Sequence, residues 1–254
     1  MNWPPASSPK MVCVVASFSN PCGATLTRQR RLRLLELAVK HRFLIVEDDP
    51  YSELRFAGVA VPPIAALAEG EARHWAVYLA SMSKTMAPAL RIGWLVAPPE
   101  IRRRCVGAKA ADDMASSAWI QETVAQYLAN GRYEEHVPRI RAAYGLRCDA
   151  MAESLARELN GRISFSKPEG GMFFWARLTG EVDATRLLPY AIEHEVVYVP
   201  GKAFYANADQ ADLFAMRMSF ATMNESQIAQ GMVRLGRALE ACEANEPVSI
   251  SLAA

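Results

Sequence analysis

Residues 81–94 read SMSKTMAPALRIGW and place a single lysine, Lys84, in a turn of small and hydroxyl-bearing residues. The turn follows one apolar run, HWAVYLAS at 74–81, and precedes another, RIGWLVA at 91–97. Short apolar runs of this kind are typical of buried strands. A lysine that is only solvated does not need such a setting, whereas a lysine that performs covalent chemistry does. Lys84 is therefore our first candidate for a catalytic residue.

The segment before this turn alternates between strand and helix patterns. Apolar runs predict strands at MVCVVASF (11–18) and RFLIVEDD (42–49). Between them, Thr27 is expected to cap a helix that runs to about His41. A long proline-containing loop follows from Pro50. Strands separated by a helix or a long loop indicate an α/β sheet, in which ligands gather at the carboxyl ends of the strands.

After residue 98 the patterns become helical and then mixed. The sequence predicts helices at 116–131, 132–161, 184–195 and 224–244, with Asn224 as the cap of the last one. It predicts two strands around a glycine turn at 162–178 and further strands at 196–201 and 214–222. We therefore expect an α/β fold with two domains. Residues 1–135 would contribute a mostly parallel sheet with helices, and residues 136–254 a long connecting helix and a smaller α+β domain.

Composition excludes several classes of protein. The chain has 254 residues and a net charge of +1, so no basic surface predicts a nucleic-acid partner. No apolar run is long enough to span a bilayer, and the start, MNWPPASSPK, has no secretory pattern. The five cysteines are scattered and odd in number, with neither zinc spacing nor a disulfide framework. These observations predict a cytoplasmic protein without a metal site.

Polar residues lie close to the ends of the predicted strands, and each has a simple structural explanation when taken alone. Asn20 suits a turn, Asp48 and Tyr51 suit a cap and a surface aromatic, and Lys84 suits solvent. Arginines such as Arg91 and Arg217 commonly form structural ion pairs. The functional argument depends on the whole set, in this order and at these spacings.

The ordered set resembles a known family. The segments are NPCG (20–23), EDDPY (47–51), SMSKTMAPALRIGW, GGMFFW (170–175), YVPGKAFY (198–205) and MRMSFA (216–221). They are similar to the class I/II aminotransferases, which are pyridoxal-phosphate (PLP) enzymes of the aspartate-aminotransferase fold. The resemblance extends from about Met11 to about Leu239 and is closest to the 2-aminoadipate and kynurenine transaminases and to the effector domains of PLP-dependent regulators. It implies part of a PLP-dependent transferase large domain, followed by a smaller α+β domain.

The resemblance also assigns roles around the cofactor ring. Lys84 would bond covalently to the cofactor's aldehyde and, once freed, move a proton. Asp48, three residues before Tyr51, would hold the pyridine nitrogen in its protonated form. Asp49 is the alternative, because adjacent residues of a strand face opposite sides. Tyr51 and Asn20 would bond to the ring's phenolic oxygen.

The remaining roles concern the phosphate and the substrate. Ser81, Ser83 and Arg91 match the residues that bind the cofactor phosphate, which requires hydroxyls and a guanidinium. Arg217 matches the arginine that binds the substrate's α-carboxylate, and Asn20 is likewise assigned to substrate binding. The implied substrates are an amino acid and a 2-oxo acid, and the implied assembly is a homodimer.

The chain departs from the family in two ways. Ser19 and Cys22 replace a glutamine and a threonine around the turn at 20–23. Family members also carry a substantial segment before this turn, so we expect the chain to be truncated and a poor catalyst. The alternatives are a regulator's effector domain, a PLP-dependent lyase and an inactive remnant. Most of the aromatics near the C-terminus are expected to pack in the core, with Tyr198 and Phe204 as candidates for contact with the substrate's side chain.

Overall fold

The computed structural model describes residues 9–245, 247 and 248. The first ten residues, which their proline and serine content predicts to be a loop, lie mostly outside these residues. The chain divides into two compact units. The first contains Met1–Ser19 and Ala24–Ile140, and the second contains Asn20–Gly23 and Arg141–Ala254. Within the described part of the chain, no helix is long and apolar enough to cross a membrane.

The first unit contains a four-stranded sheet in the order β1-β2-β3-β4. Strands β1 (Met11–Val14), β2 (Leu44–Asp49) and β3 (Ala76–Ser81) are parallel to one another. Strand β4 (Gly93–Val96) is antiparallel to β3, because the short turn around Lys84 reverses the chain. The predicted α/β sheet is confirmed, with one antiparallel strand at its edge.

Five helices follow the strands of this unit, and the last of them continues into the second unit. They are α1 (Arg28–His41), α2 (Ile64–Leu67), α3 (Pro99–Asp112), α4 (Ala118–Ala129) and α5 (Arg132–Glu158). As the sequence predicts, α1 begins after Thr27, whose side chain accepts a hydrogen bond from the backbone N–H of Arg30. The core lies between one face of the sheet and the helices α1 and α2.

Strand β1 is shorter than the predicted strand at 11–18. After Val14 the chain turns into the core, where Ala16, Ser17 and Phe18 are buried. The carbonyl of Ala16 accepts hydrogen bonds from the Arg31 side chain at 2.9 Å and from the backbone N–H of Leu26 at 2.8 Å. Long-range partners therefore replace the sheet ladder, and the apolar run alone could not indicate this.

A buried ion pair connects helix α1 to strand β2 in the first unit. The side chains of Arg31 on α1 and Glu47 on β2 are each 1% exposed, and their closest charged atoms are 3.4 Å apart. The Arg31 guanidinium also donates to the carbonyls of Leu26, Ala16 and Pro62 and to the Ser17 hydroxyl. Arg31 thus links helix α1, strand β2 and the loops on either side of them.

The Glu47 carboxylate caps the start of helix α2, which the sequence did not predict. Its Oε2 accepts hydrogen bonds from the backbone N–H groups of Ile64 at 2.7 Å and Ala65 at 3.4 Å. These groups lie at the start of α2, where a negative charge is favourable. Burial raises the pKa of Glu47 to about 7, while the two amide donors and the Arg31 charge oppose this effect.

Replacing Arg31 with methionine is expected to lower the free energy of unfolding by about 3–5 kcal/mol, because Glu47 would be left buried without a countercharge. The pKa of Glu47 would rise further without the guanidinium. A carboxyl with a raised folded-state pKa loses its stabilising contribution as the pH rises, so the deficit should be larger at pH 8 than at pH 5.

Urea unfolding of both proteins at the two pH values measures the effect of Arg31→Met. Arg33→Met is the matched control, because Arg33 lies on the same helix and its ion pair with Glu36 is exposed. That variant should lose less than about 1 kcal/mol. Equal losses at the two positions would contradict the role given to Arg31.

Besides the C-terminal part of α5, the second unit contains an antiparallel sheet and two further helices that pack against each other. The sheet has the order β5-β6-β8-β7. The elements are β5 (Ile163–Phe165), β6 (Phe173–Leu178), α6 (Ala184–Glu193), β7 (Val199–Pro200), β8 (Ala215–Ser219) and α7 (Glu225–Glu243). The predicted cap of the last helix is confirmed, since the Asn224 side chain accepts from the backbone N–H of Gln227 and the Gln227 side chain accepts in return.

Candidate active site

The predicted site residues are divided between the two units. Six lie in the first unit, at the ends of β2 and β3 or in the segments that follow them: Asp48, Tyr51, Ser81, Ser83, Lys84 and Arg91. The other two, Asn20 and Arg217, lie in the second unit, in the turn at 20–23 and on β8.

Lys84 projects from a turn whose flanking residues are anchored in the protein. Met82 and Thr85 are buried on either side of it, whereas Lys84 is exposed. The backbone N–H of Met82 donates to the carbonyl of Ile92 at 3.0 Å, and that of Met86 donates to the carbonyl of Met82 at 2.9 Å. No side chain among the described residues forms a hydrogen bond or ion pair with the Lys84 amine. The turn therefore presents a free amine from a fixed backbone.

Two hydroxyl groups meet at the carboxyl end of β3. The Ser81 hydroxyl is 2.9 Å from that of Ser83 and 3.0 Å from the backbone N–H of Ser83. Arg91 ends the same turn with φ = 54°, a left-handed conformation, and its exposed guanidinium donates to the carbonyl of Pro88 at 3.3 Å. The structure brings the two predicted phosphate-binding serines together and leaves most of the Arg91 donors open.

The two aspartates of β2 face opposite sides of the sheet. Asp49 shares a face with Glu47 and is buried, and its carboxylate accepts hydrogen bonds from the Tyr78 hydroxyl at 3.1 Å and the Ser52 N–H at 3.0 Å. Asp48 is exposed on the other face. Because Asp48 pairs in register with Leu79, it lies on the same face as Ser81, two residues further along β3.

The two carboxylates also differ from each other in their electrostatic surroundings. Partial desolvation raises the pKa of Asp48, and the negative charge of Asp49 raises it further. No cation or donor among the described side chains pairs with Asp48. Burial and the adjacent Asp49 likewise raise the pKa of Tyr78, so its hydroxyl remains a donor. Asp49 thus acts as an internal acceptor, while Asp48 is available to an external cationic group.

In the second unit, the structure brings Asn20 and Arg217 together. The guanidinium Nη1 of Arg217 donates to the Asn20 amide oxygen at 2.8 Å. The turn is held close to β6 by Gly23, which has φ = +65°, and a Cβ atom there would lie 3.1 Å from the carbonyl oxygen of Phe173. A side chain at this position would therefore displace the turn that carries Asn20.

Sequence reasoning missed the aromatic surroundings of Arg217. Its guanidinium lies 4.5 Å from the ring centre of Phe173 and 5.1 Å from that of Phe204. The two-residue alternation of β6 is a signal that could have separated Phe173 from its neighbour Phe174, which is fully buried. Tyr198, in contrast, is buried and donates to the carbonyl of Ala184 at 2.6 Å, so it belongs to the core.

The fold and these residues define a class of α/β protein, and comparison with known proteins gives the family. Residues 3–235 match the model of the aminotransferases of class I and II. The chain therefore belongs to this family, and the resemblance noted in the sequence is confirmed.

Relatives with similar sequences include enzymes and a regulator. The chain is 39% identical to aromatic-amino-acid aminotransferase 1 of Thermococcus litoralis and 35% identical to the 2-aminoadipate transaminase of Thermus thermophilus, over 91% of this chain in each case and 54% and 58% of those proteins. It is 34% identical to the helix-turn-helix transcriptional regulator TauR of Rhodobacter capsulatus, over 91% of this chain and 46% of that protein.

Comparison with a solved structure shows that the fold is also that of an aminotransferase. The kynurenine aminotransferase of Pyrococcus horikoshii, solved in complex with PMP, superposes with a TM-score of 0.85 at 39% identity, covering 94% of this chain and 57% of that one. The chain thus spans little more than half the length of the aminotransferases it matches.

Proposed function

We propose that this chain functions as a PLP-dependent aminotransferase, which moves an amino group between an L-amino acid and a 2-oxo acid. The observation that carries the proposal is the free amine of Lys84, fixed by a turn at the carboxyl end of a strand in a chain of this family. When bound, PLP supplies an aldehyde that reacts with amines and a protonated ring that withdraws electrons.

The side chains of the first unit fit this cofactor. Two hydroxyls and a guanidinium, from Ser81, Ser83 and Arg91, form the kind of donor set that binds a phosphate dianion. Asp48 has no positive partner among the described side chains. Desolvation and the charge of Asp49 raise its pKa, and a protonated ring nitrogen beside it would lower that pKa again. Lys84 provides the amine for covalent attachment.

Each residue then has a defined chemical role. Lys84 Nζ would hold the cofactor covalently and, once freed, would be the base that moves a proton from the substrate's α-carbon. The Asp48 carboxylate would accept a hydrogen bond from the ring nitrogen and so favour its protonated form. Tyr51 would donate a hydrogen bond to the phenolic oxygen of the ring, a role that the family resemblance assigns to Asn20 as well. Arg217 binds the α-carboxylate, a group that amino acids and 2-oxo acids share.

The names of the relatives support a substrate class. They are described as acting on aromatic amino acids, 2-aminoadipate and kynurenine. We therefore propose an amino acid with a long or aromatic side chain as the amino donor. We also propose a homodimer, supported by the family resemblance, and a cytoplasmic location, supported by five cysteines that all carry free thiols.

Covalent trapping tests the proposal without requiring turnover. The purified chain is mixed with PLP, reduced with borohydride and digested, and its peptides are mapped by mass spectrometry. The expected result is a phosphopyridoxyl group on Lys84 and not on Lys109, an exposed lysine paired with Asp113. A folded chain without this label, or with equal labelling of both lysines, would contradict the assignment.

Product analysis separates the proposed reaction from the alternatives. Incubation with PLP, kynurenine and 2-oxoglutarate is expected to yield glutamate. Release of ammonia and a carbon–sulfur cleavage product from a cysteine conjugate would instead support a lyase. The similarity to TauR supports an effector domain as the second candidate. Labelling of Lys84 with tight amino-acid binding and without any product would favour that candidate.

A further inference from the structure

Arg217 is held by neutral groups rather than by a carboxylate. Two aromatic rings, Phe173 on β6 and Phe204 in the turn after β7, approach its guanidinium, and Asn20 accepts one of its hydrogen bonds. Trp175 lies directly opposite Arg217 in the ladder and packs edge-on against Phe204, with ring centres 5.8 Å apart. No acidic side chain among the described residues pairs with Arg217, so its full positive charge remains available.

The turn that carries Phe204 passes very close to the backbone of β8. Gly201 begins this turn, and a Cβ atom there would lie 2.8 Å from the carbonyl oxygen of Ala215. Only glycine lets the backbone come this near. Phe204, three residues later, is therefore fixed beside Arg217, which lies two residues beyond Ala215 on the same strand.

The same sheet contains a second arginine whose charge is already neutralised. Arg177 on β6 lies 5.2 Å from the ring centre of Phe214, and its Nε donates to the Asp212 carboxylate at 3.0 Å. Each arginine lies against an aromatic ring, but the acceptor differs: it is an amide for Arg217 and a carboxylate for Arg177. The contrast indicates that the charge of Arg217, unlike that of Arg177, is available to an external anion.

We propose that Phe173 and Phe204 are positioning residues that hold the Arg217 guanidinium ready for a carboxylate ligand. This inference deepens the proposed function, because the ligand would be the α-carboxylate of the amino acid or 2-oxo acid. Aromatic faces attract a cation without using its N–H donors, whereas a carboxylate would occupy those donors and cancel the charge. The rings therefore fix the plane of the guanidinium while its remaining donors stay open for a bidentate bond.

Nuclear magnetic resonance of the arginine side chains tests this proposal on the chain without cofactor. The Nε–H signals of Arg217 and Arg177 are assigned by their loss in Arg217→Lys and Arg177→Lys, and pyruvate is titrated as the probe. Pyruvate is expected to shift the Arg217 signal and not the Arg177 signal. In Phe204→Leu and in Phe173→Leu, the affinity of pyruvate should fall by about 3- to 10-fold.

Control variants separate positioning from folding. Phe204→Tyr keeps the ring and should restore the affinity, and Phe214→Leu, beside Arg177, should leave it unchanged. An intact Arg177 signal reports that the unit is folded. If Phe173→Leu loses that signal, the Phe204 variants decide the question.

Several outcomes would overturn the proposal. They are an unchanged affinity in both leucine variants, equal shifts of the two arginine signals, and no response of Arg217 to pyruvate. Failure of the proposed function would be seen separately, as absence of the PLP label on Lys84, because the pyruvate titration needs no cofactor.

Discussion

Replacing Lys84 with alanine is expected to abolish covalent attachment of PLP and to lower any transaminase turnover by on the order of 10⁴-fold or more. The variant would lose both the amine that bonds to the cofactor and the group that transfers the proton. Stability should hardly change, because the Lys84 side chain is exposed and the turn is anchored by its buried neighbours Met82 and Thr85. Borohydride trapping with peptide mapping, together with thermal unfolding, measures both results.

Two further variants make the test specific to the amine. Lys84→Arg keeps the positive charge and removes the nucleophile, so it should be as inactive as alanine if covalent chemistry is the role of this lysine. Lys109→Ala removes an exposed lysine and should leave labelling of Lys84 intact. Substantial turnover in Lys84→Ala, with the label transferred to another lysine, would show that the catalytic amine lies elsewhere.

Alanine substitutions at the two adjacent aspartates of β2 should affect different properties, turnover in one case and stability in the other. Asp48→Ala is expected to reduce turnover by on the order of 10²-fold or more, because the ring nitrogen of the cofactor would lose its carboxylate partner. Its stability should stay within about 0.5 kcal/mol of the parent protein, since Asp48 is exposed and pairs with none of the side chains that the structure describes. Asp49→Ala should instead lower the free energy of unfolding by about 1–3 kcal/mol, because the Tyr78 hydroxyl and the Ser52 N–H would lose their acceptor.

Urea unfolding and the absorbance spectrum of the PLP-loaded chain separate these effects. For Asp48→Ala we expect an altered pH dependence of the cofactor's visible band with an unchanged unfolding midpoint. For Asp49→Ala we expect a lower midpoint with a nearly normal spectrum. The reverse pattern would assign the ring nitrogen to Asp49, which is the alternative that the sequence leaves open.

The regular elements could be predicted from the sequence because their signals are local. Thr27 and Asn224 precede their helices, and both side chains accept the expected backbone hydrogen bonds. The apolar runs identified the strands of both sheets, although most strands are shorter than their runs. Strand ends depend on which partner satisfies a backbone carbonyl, as Arg31 does for Ala16, and such a partner can lie far away in the sequence.

Elements that depend on long-range partners were not predictable. The short helix α2 lies in a segment predicted as loop, and its first N–H groups are satisfied by Glu47, 17 residues earlier in the case of Ile64. Arg31 could not be distinguished from the neighbouring Arg28, Arg30 and Arg33 by sequence, because a buried arginine and a solvated one have the same local pattern. Only packing of the helix against the sheet selects the buried one.

The sequence by itself determined the family, the lysine in its turn and the residue types available for the chemistry. These follow from motifs, in which order and spacing along the chain carry the information. The tertiary structure decided which of two adjacent aspartates is buried, because the pleat of β2 sends them to opposite faces. It also decided that Arg177 is neutralised by Asp212 while Arg217 lies against two aromatic rings with its charge uncancelled. The charge state of a site depends on neighbours in space, and residues distant along the chain become such neighbours only when it folds.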